Sequence, residues 1–152
     1  LLLDPVLVFG LTFGMVKAIE GGDALPAEIP PAGERLEYTE TIWDAARRGP
    51  NAIGRWGEQQ VGQHLPVEVR QFPVADGRRV YDGYMLSTGQ HVEIKTTTRG
   101  TVCSSFRIRR QIAFDAAQEI KPLWIFVNGN PSRGLQVALG EAGIPWQVLN
   151  VP

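Results

Sequence analysis

The chain has little of the chemistry that sulfur and imidazole supply. Cys103 is the only cysteine among 152 residues, which excludes an internal disulfide and a cysteine-built zinc cluster. His64 and His91 are the only histidines, so a histidine-based acid–base nuclease would have just these two to use. No Gly-x-x-x-x-Gly-Lys-Ser/Thr loop, Gly-x-Gly-x-x-Gly run or Gly-x-Ser-x-Gly elbow occurs, which leaves nucleotide binding by those routes and serine hydrolysis without support. Long apolar runs are also missing. The opening, Leu1 to Ile19, is broken by Asp4, Pro5 and Lys17, and its core, Val6 to Val16, is short for a membrane span. Without a basic start or a small-residue cleavage site it does not read as a signal peptide, and a packed or interfacial helix is expected in preference to the alternative, a membrane-translocation segment. Leu1 is not an initiator methionine, so a piece of a longer polypeptide is expected.

At 43% hydrophobic, the chain suits one soluble domain with a sizeable core. Its net charge of −1 conceals an asymmetry. Residues 1–45 hold Lys17 and Arg35 against eight acids, and the remainder holds thirteen bases against eight acids. An acidic leader ahead of a phosphate-binding domain would give this distribution, as would solvated faces of mixed charge.

The proline- and glycine-rich stretch Gly21 to Glu34 reads as a linker. Leu36 to Arg48 is expected to form a short helix anchored by Ile42 and Trp43, ended by Gly49-Pro50. Ile53, Trp56, Val61 and Leu65 fall at helical spacing, and projection places Glu58 at the edge of that stripe, leaning toward a sheet. Gly57 and Gly62 inside this helix each cost about 1 kcal/mol relative to Ala, which points to close backbone packing. A first strand is expected over Val67 to Phe72. A helix capped by Ser104 or Ser105 should run to about Ile120, with a stripe of Phe106, Ile112, Ala113, Ala116, Ala117 and Ile120. Leu123 to Val127 reads as a strand buried on both faces, Asn128 to Arg133 as a turn, Leu135 to Leu139 as weakly helical, and Trp146 to Val151 as a last strand.

The most informative stretch is Arg79 to Lys95, two Val/Tyr/Ile/Leu-rich runs around Ser87-Thr88-Gly89, which reads as a β-hairpin. Alternation puts His91, Glu93 and Lys95 on one face and Val92 and Ile94 on the other. Asp82 lies on the partner strand, grouped by alternation with Val80, Tyr84 and Leu86, so the hairpin would gather Asp82, Glu93 and Lys95. Two carboxylates and an ammonium at a sheet edge suit a hard cation such as Mg²⁺, which is held by one or two carboxylates with waters and substrate phosphate. The spacing Glu-x-Lys is weak by itself, since Glu119-Ile120-Lys121 repeats it at the end of a helical pattern, where residues two apart do not face each other. Arg107, Arg110 and Gln111 project away from the centre of the following helix's apolar stripe, where they could reach a phosphate backbone beside the hairpin or form a solvated helix face.

A helix with Glu58, three strands with Asp82 and Glu93-x-Lys95, then helix, strand, helix and strand: this order resembles the PD-(D/E)XK nuclease superfamily. The resemblance covers Ala52 to the C-terminus. It implies an α/β fold, a restriction-endonuclease-like α/β/α core with a mixed central sheet, at 50–152, preceded by a helical leader and linker at 1–49. It further implies that Asp82 and Glu93 ligate Mg²⁺ or Mn²⁺, that Lys95 positions or deprotonates the attacking water, and that Glu58 supports the site. Gln111 matches, loosely, the polar residue the superfamily often carries on the next helix. Tyr81 stands where the superfamily's name has proline. The apolar leader, the linker and the Arg110-Gln111-x-x-x-Asp115 pattern are similar to the terminal nuclease modules of bacterial polymorphic toxins. That likeness implies delivery to the cytoplasm of a target bacterium, a cognate immunity protein, DNA as substrate with RNA as the alternative, and no stable membrane insertion of the nuclease domain. A housekeeping resolvase or repair nuclease of the same fold, and a catalytically inactive nucleic-acid-binding module, are the competing readings.

Overall fold

The computed structural model describes residues 39–152; the expected leader helix and linker lie outside the described residues. Thr41 opens the first helix, α1 (Ile42–Arg48), with a capping box in which its Oγ1 accepts from Asp44 N and Asp44 Oδ2 accepts from Thr41 N. Ile42 and Ala45 are buried, but Trp43, expected as an anchor, is 61% exposed. Helix α2 (Pro50–His64) starts with proline at its first turn, where the missing N–H has no intrahelical partner to lose. Trp56 is buried and donates from Nε1 to Glu40 O at 2.9 Å, fastening α2 to the segment ahead of α1.

Strands β1 (Glu68–Val74), β2 (Arg79–Met85) and β3 (Gln90–Val102) form an antiparallel meander. The crossover through α3 (Phe106–Ala116) places β4 (Leu123–Pro131) parallel to β3, and α4 (Arg133–Glu141) places β5 (Trp146–Leu149) parallel to β4. The chain is therefore α/β, with a five-stranded mixed sheet in the order β1-β2-β3-β4-β5 and four helices among the described residues.

Alternation along β4 sorts the core into two layers. Leu123, Ile125 and Val127 pack with Val92, Ile94, Trp56, Val61, Ile42 and Ala45 of β3, α2 and α1. Trp124 and Phe126 pack on the opposite face with Ile108, Ile112, Leu135 and Leu139 of α3 and α4. Each large side chain so buried contributes about 1.5–3 kcal/mol, which makes β4 the spine of the fold. Because α1 shares the first layer, the packed body begins upstream of Pro50.

Several boundaries differ from expectation. The turn expected at Asn128 is a kink within β4: Asn128 takes a left-handed φ of 55°, and its Oδ1 accepts from Val151 N. Helix α3 stops at Ala116, so Glu119-Ile120-Lys121 is not helical; Lys121 Nζ donates instead to the carbonyls of Ala116 and Gln118. The buried side of α3 is Ile108, Ile112 and Asp115, while Phe106 is 69% exposed. Ser105 sets that phase by capping Ile108 N.

Candidate active site

The register of the hairpin decides what meets. The β2–β3 ladder pairs Met85 with Gln90, Tyr84 with His91 and Gly83 with Val92. Met85 lies in the α2-side core, yet Tyr81 and Arg79, of the same parity, reach Asp115 on the α3 side. Alternation is thus broken at Asp82, next to an irregularity in the β1–β2 register between Val69 and Phe72. Asp82 is not grouped simply with Val80, Tyr84 and Leu86. Where the ladder stops, its Oδ2 accepts from Ile94 N at 2.8 Å, which ties the carboxylate to the Glu93-Ile94-Lys95 segment.

Glu93 and Lys95 share the α3 side, as alternation requires. Glu93 is 3% exposed and saturated with donors: Oε1 takes Lys95 Nζ at 2.5 Å and Gln111 Nε2 at 3.3 Å, and Oε2 takes Arg79 Nη1 at 2.8 Å. Lys95 Nζ also donates to Gln111 Oε1 at 2.8 Å and lies 5.4 Å from the ring of Trp124. Gln111 therefore bridges the carboxylate and the ammonium.

Glu58 arrives from the other face. A Cβ on Gly57 would fall 1.7 Å from Thr96 Oγ1, so the glycine lets α2 lie directly against β3. The half-buried Glu58 carboxyl is pushed above its usual range by burial and by the charge of Glu93, against the pull of Arg55. Asp82 is pushed up to about 7, by burial first, then by Glu93, with a smaller contribution from Glu58; the Ile94 N–H and Lys95 pull the other way. Both shifts place these carboxylates in one another's field.

A second network, absent from the sequence-based expectation as a unit, stands behind Glu93. Arg79 forks onto Asp115, Nε to Oδ1 at 3.0 Å and Nη2 to Oδ2 at 2.9 Å. Tyr81 OH and Trp124 Nε1 also donate to Asp115, at 2.6 and 2.9 Å. Burial lowers the proton affinity of the Arg79 guanidinium, but the hydrogen bond to Asp115 and the charges of Glu93 and Asp115 outweigh it, and the group is held above its usual value. One signal was legible: Asp115 falls three residues after Ile112 on the stripe Ile108–Ile112, and a carboxylate on a core stripe requires a buried donor set. Nothing local identified Arg79, 36 residues earlier, as that donor.

The other candidates sit apart. Arg107 and Arg110 are exposed on α3, with the Arg110 guanidinium 5.9 Å from the Phe106 ring. His64 is exposed at the end of α2. His91 is stacked on Tyr81 at 4.8 Å and flanked by Tyr84 and Phe72, and burial lowers its pKa.

Among the described residues, no group of three or more His, Cys, Asp or Glu side chains forms a metal cage. The polar groups of the cluster are carboxylates, an ammonium, a guanidinium and an amide. Glu58, Asp82, Glu93 and Asp115 outnumber the cations bonded within the cluster, Arg79 and Lys95, and Asp82 resists ionisation first because it is buried and then because Glu93 and Glu58 are near. No protein-family model, curated protein or solved structure matches the chain.

Proposed function

We propose that the chain is a metal-dependent endonuclease of restriction-endonuclease-like fold that hydrolyses DNA phosphodiester bonds with Mg²⁺ or Mn²⁺. The observation carrying this reading is the convergence of Asp82, Glu93, Lys95 and Gln111 from β2, β3 and α3, with Glu58 in the same electrostatic field from α2. Asp82 and Glu93 would hold the cation. When bound, the ion polarises the scissile phosphate and acidifies a water. Lys95, which donates to Glu93 and Gln111, would hold a water beside the phosphate or take its proton, and Glu58 would add negative charge behind the carboxylates. Arg107 and Arg110, exposed on the helix that carries Gln111, would contact flanking phosphates. Action as an interbacterial toxin in a target cytoplasm, with an immunity protein as partner, rests on the resemblance in element order and motif.

Incubation of supercoiled plasmid with the purified protein tests the chemistry. Nicking or linearisation is expected with Mg²⁺, and is lost with EDTA or in Glu93→Ala. Intact DNA and intact RNA in the presence of Mg²⁺, from folded protein, would sink the proposal. Growth arrest on cytoplasmic expression, abolished by Lys95→Ala, tests the toxin role.

A further inference from the structure

The two oxygens of Glu93 are not equally available. Oε1 is held by Lys95 and Gln111, both only partly buried, with 18% of the Lys95 side chain exposed. Oε2 is held by Arg79, whose side chain is 4% exposed and is fixed in turn by two hydrogen bonds to a fully buried Asp115. Tyr81 and Trp124 complete the donor set of Asp115, so that carboxylate cannot turn away from the guanidinium without stranding buried donors. A planar fork shared between two carboxylates is a task for arginine alone.

Resting on the metal-centre reading above, we propose that Arg79, clamped by Asp115, is a positioning residue that withholds Oε2 of Glu93, so that a cation gains Glu93 only at Oε1, in exchange with Lys95 and Gln111, and that holds its cation affinity down. Arg79 divides one positive charge between Glu93 and Asp115. The share that falls on Glu93 sets how strongly Oε1 attracts a divalent ion. Removing Asp115's charge alone and removing the whole ion pair therefore act in opposite directions, whereas a purely structural network would weaken binding in both cases.

The test is a calorimetric titration of the full chain with Mn²⁺ alone, at fixed pH, with thermal melts confirming that each variant is folded. Asp115→Asn retains an acceptor but leaves the Arg79 charge undivided on Glu93, so Mn²⁺ is expected to bind severalfold more weakly. The double variant Arg79→Gln/Asp115→Asn removes an opposite charge at hydrogen-bond distance from Glu93, and Mn²⁺ is expected to bind about tenfold more tightly. Shifts of the same sign in both variants, or no shift in either, overturn the proposal. The double variant decides, since weaker binding in Asp115→Asn is also what a structural network gives; if it does not fold, Arg79→Met/Asp115→Asn, which also removes the opposite charge beside Glu93 and keeps an acceptor for Tyr81 and Trp124, takes its place with the same expectation. Absence of Mn²⁺ binding by the wild type would instead remove the metal-centre reading, and this inference with it.

Discussion

Asp82 is the residue whose ionisation the fold opposes most visibly. Its folded pKa of about 7 lies above the ordinary value of 3.8, so between those pH values the native state binds more protons than the unfolded chain. Stability therefore falls as pH rises across that window, and the full penalty is present above pH 7. Glu58, also raised, acts in the same sense. Asp82→Asn keeps an oxygen for the Ile94 N–H and removes the charge. In metal-free protein this variant is expected to melt about 5 °C above wild type at pH 8, with the gain vanishing toward pH 4. A variant less stable than wild type at pH 8 would show that the carboxylate is not strained. Lys95→Ala is expected to lower the cleavage rate constant about 10²- to 10⁴-fold, measured in single-turnover plasmid assays below the variant's melting temperature.

At the scale of elements, the approach of α2 to β3 controls where Glu58 sits. In Gly57→Ala the new methyl would meet Thr96 Oγ1 at 1.7 Å and Thr96 Cβ at 2.8 Å, so turning the threonine side chain does not relieve the clash and the helix must move. A loss of about 2 kcal/mol in urea unfolding is expected, with reduced cleavage. Gly62 faces only Val69 Cγ2 at 3.3 Å, and its replacement by alanine regains about 1 kcal/mol of helix propensity, so Gly62→Ala should be nearly neutral. Equal losses at both positions would show that the close approach at Gly57 is not special. Helix α3 carries Gln111 and Asp115 in one phase, and Ser105 fixes its start. Ser105→Ala is expected to cost about 1 kcal/mol by the same assay.

For the molecule as a whole, the exposed Arg107 and Arg110 lie on the helix that supplies Gln111, so on the proposed function they would set how the protein is seated on a phosphate backbone. If each contacts a phosphate, the double variant Arg107→Ala/Arg110→Ala should reduce the slope of log affinity against log salt by about two, because fewer counterions are released. Binding to DNA in EDTA, followed by fluorescence anisotropy across a salt series, measures this; an unchanged slope would place the phosphate path elsewhere. No helix of the described residues is long and apolar enough to cross a membrane.

Most of the element order was legible in the sequence because it rests on local periodicity. The α2 stripe around Trp56, the hairpin turn at Ser87-Thr88-Gly89 and the unbroken apolar run of β4 each announce their structure within about ten residues, and alternation alone put Glu93 and Lys95 on one face. The close packing at Gly57 was legible too, since a glycine inside a helix is costly unless something presses against it. Local patterns do not carry register or phase. That Asp82 turns out of alternation to reach Ile94 N depends on where two ladders stop, and that Asp115 lies beneath Arg79 depends on how α3 settles on β4. The sequence by itself determined that Glu93 and Lys95 share one face of a strand whose hairpin partner carries Asp82. Only the tertiary structure decided that one oxygen of Glu93 is taken by a buried guanidinium, because that contact joins residues whose mutual approach is set by core packing between them.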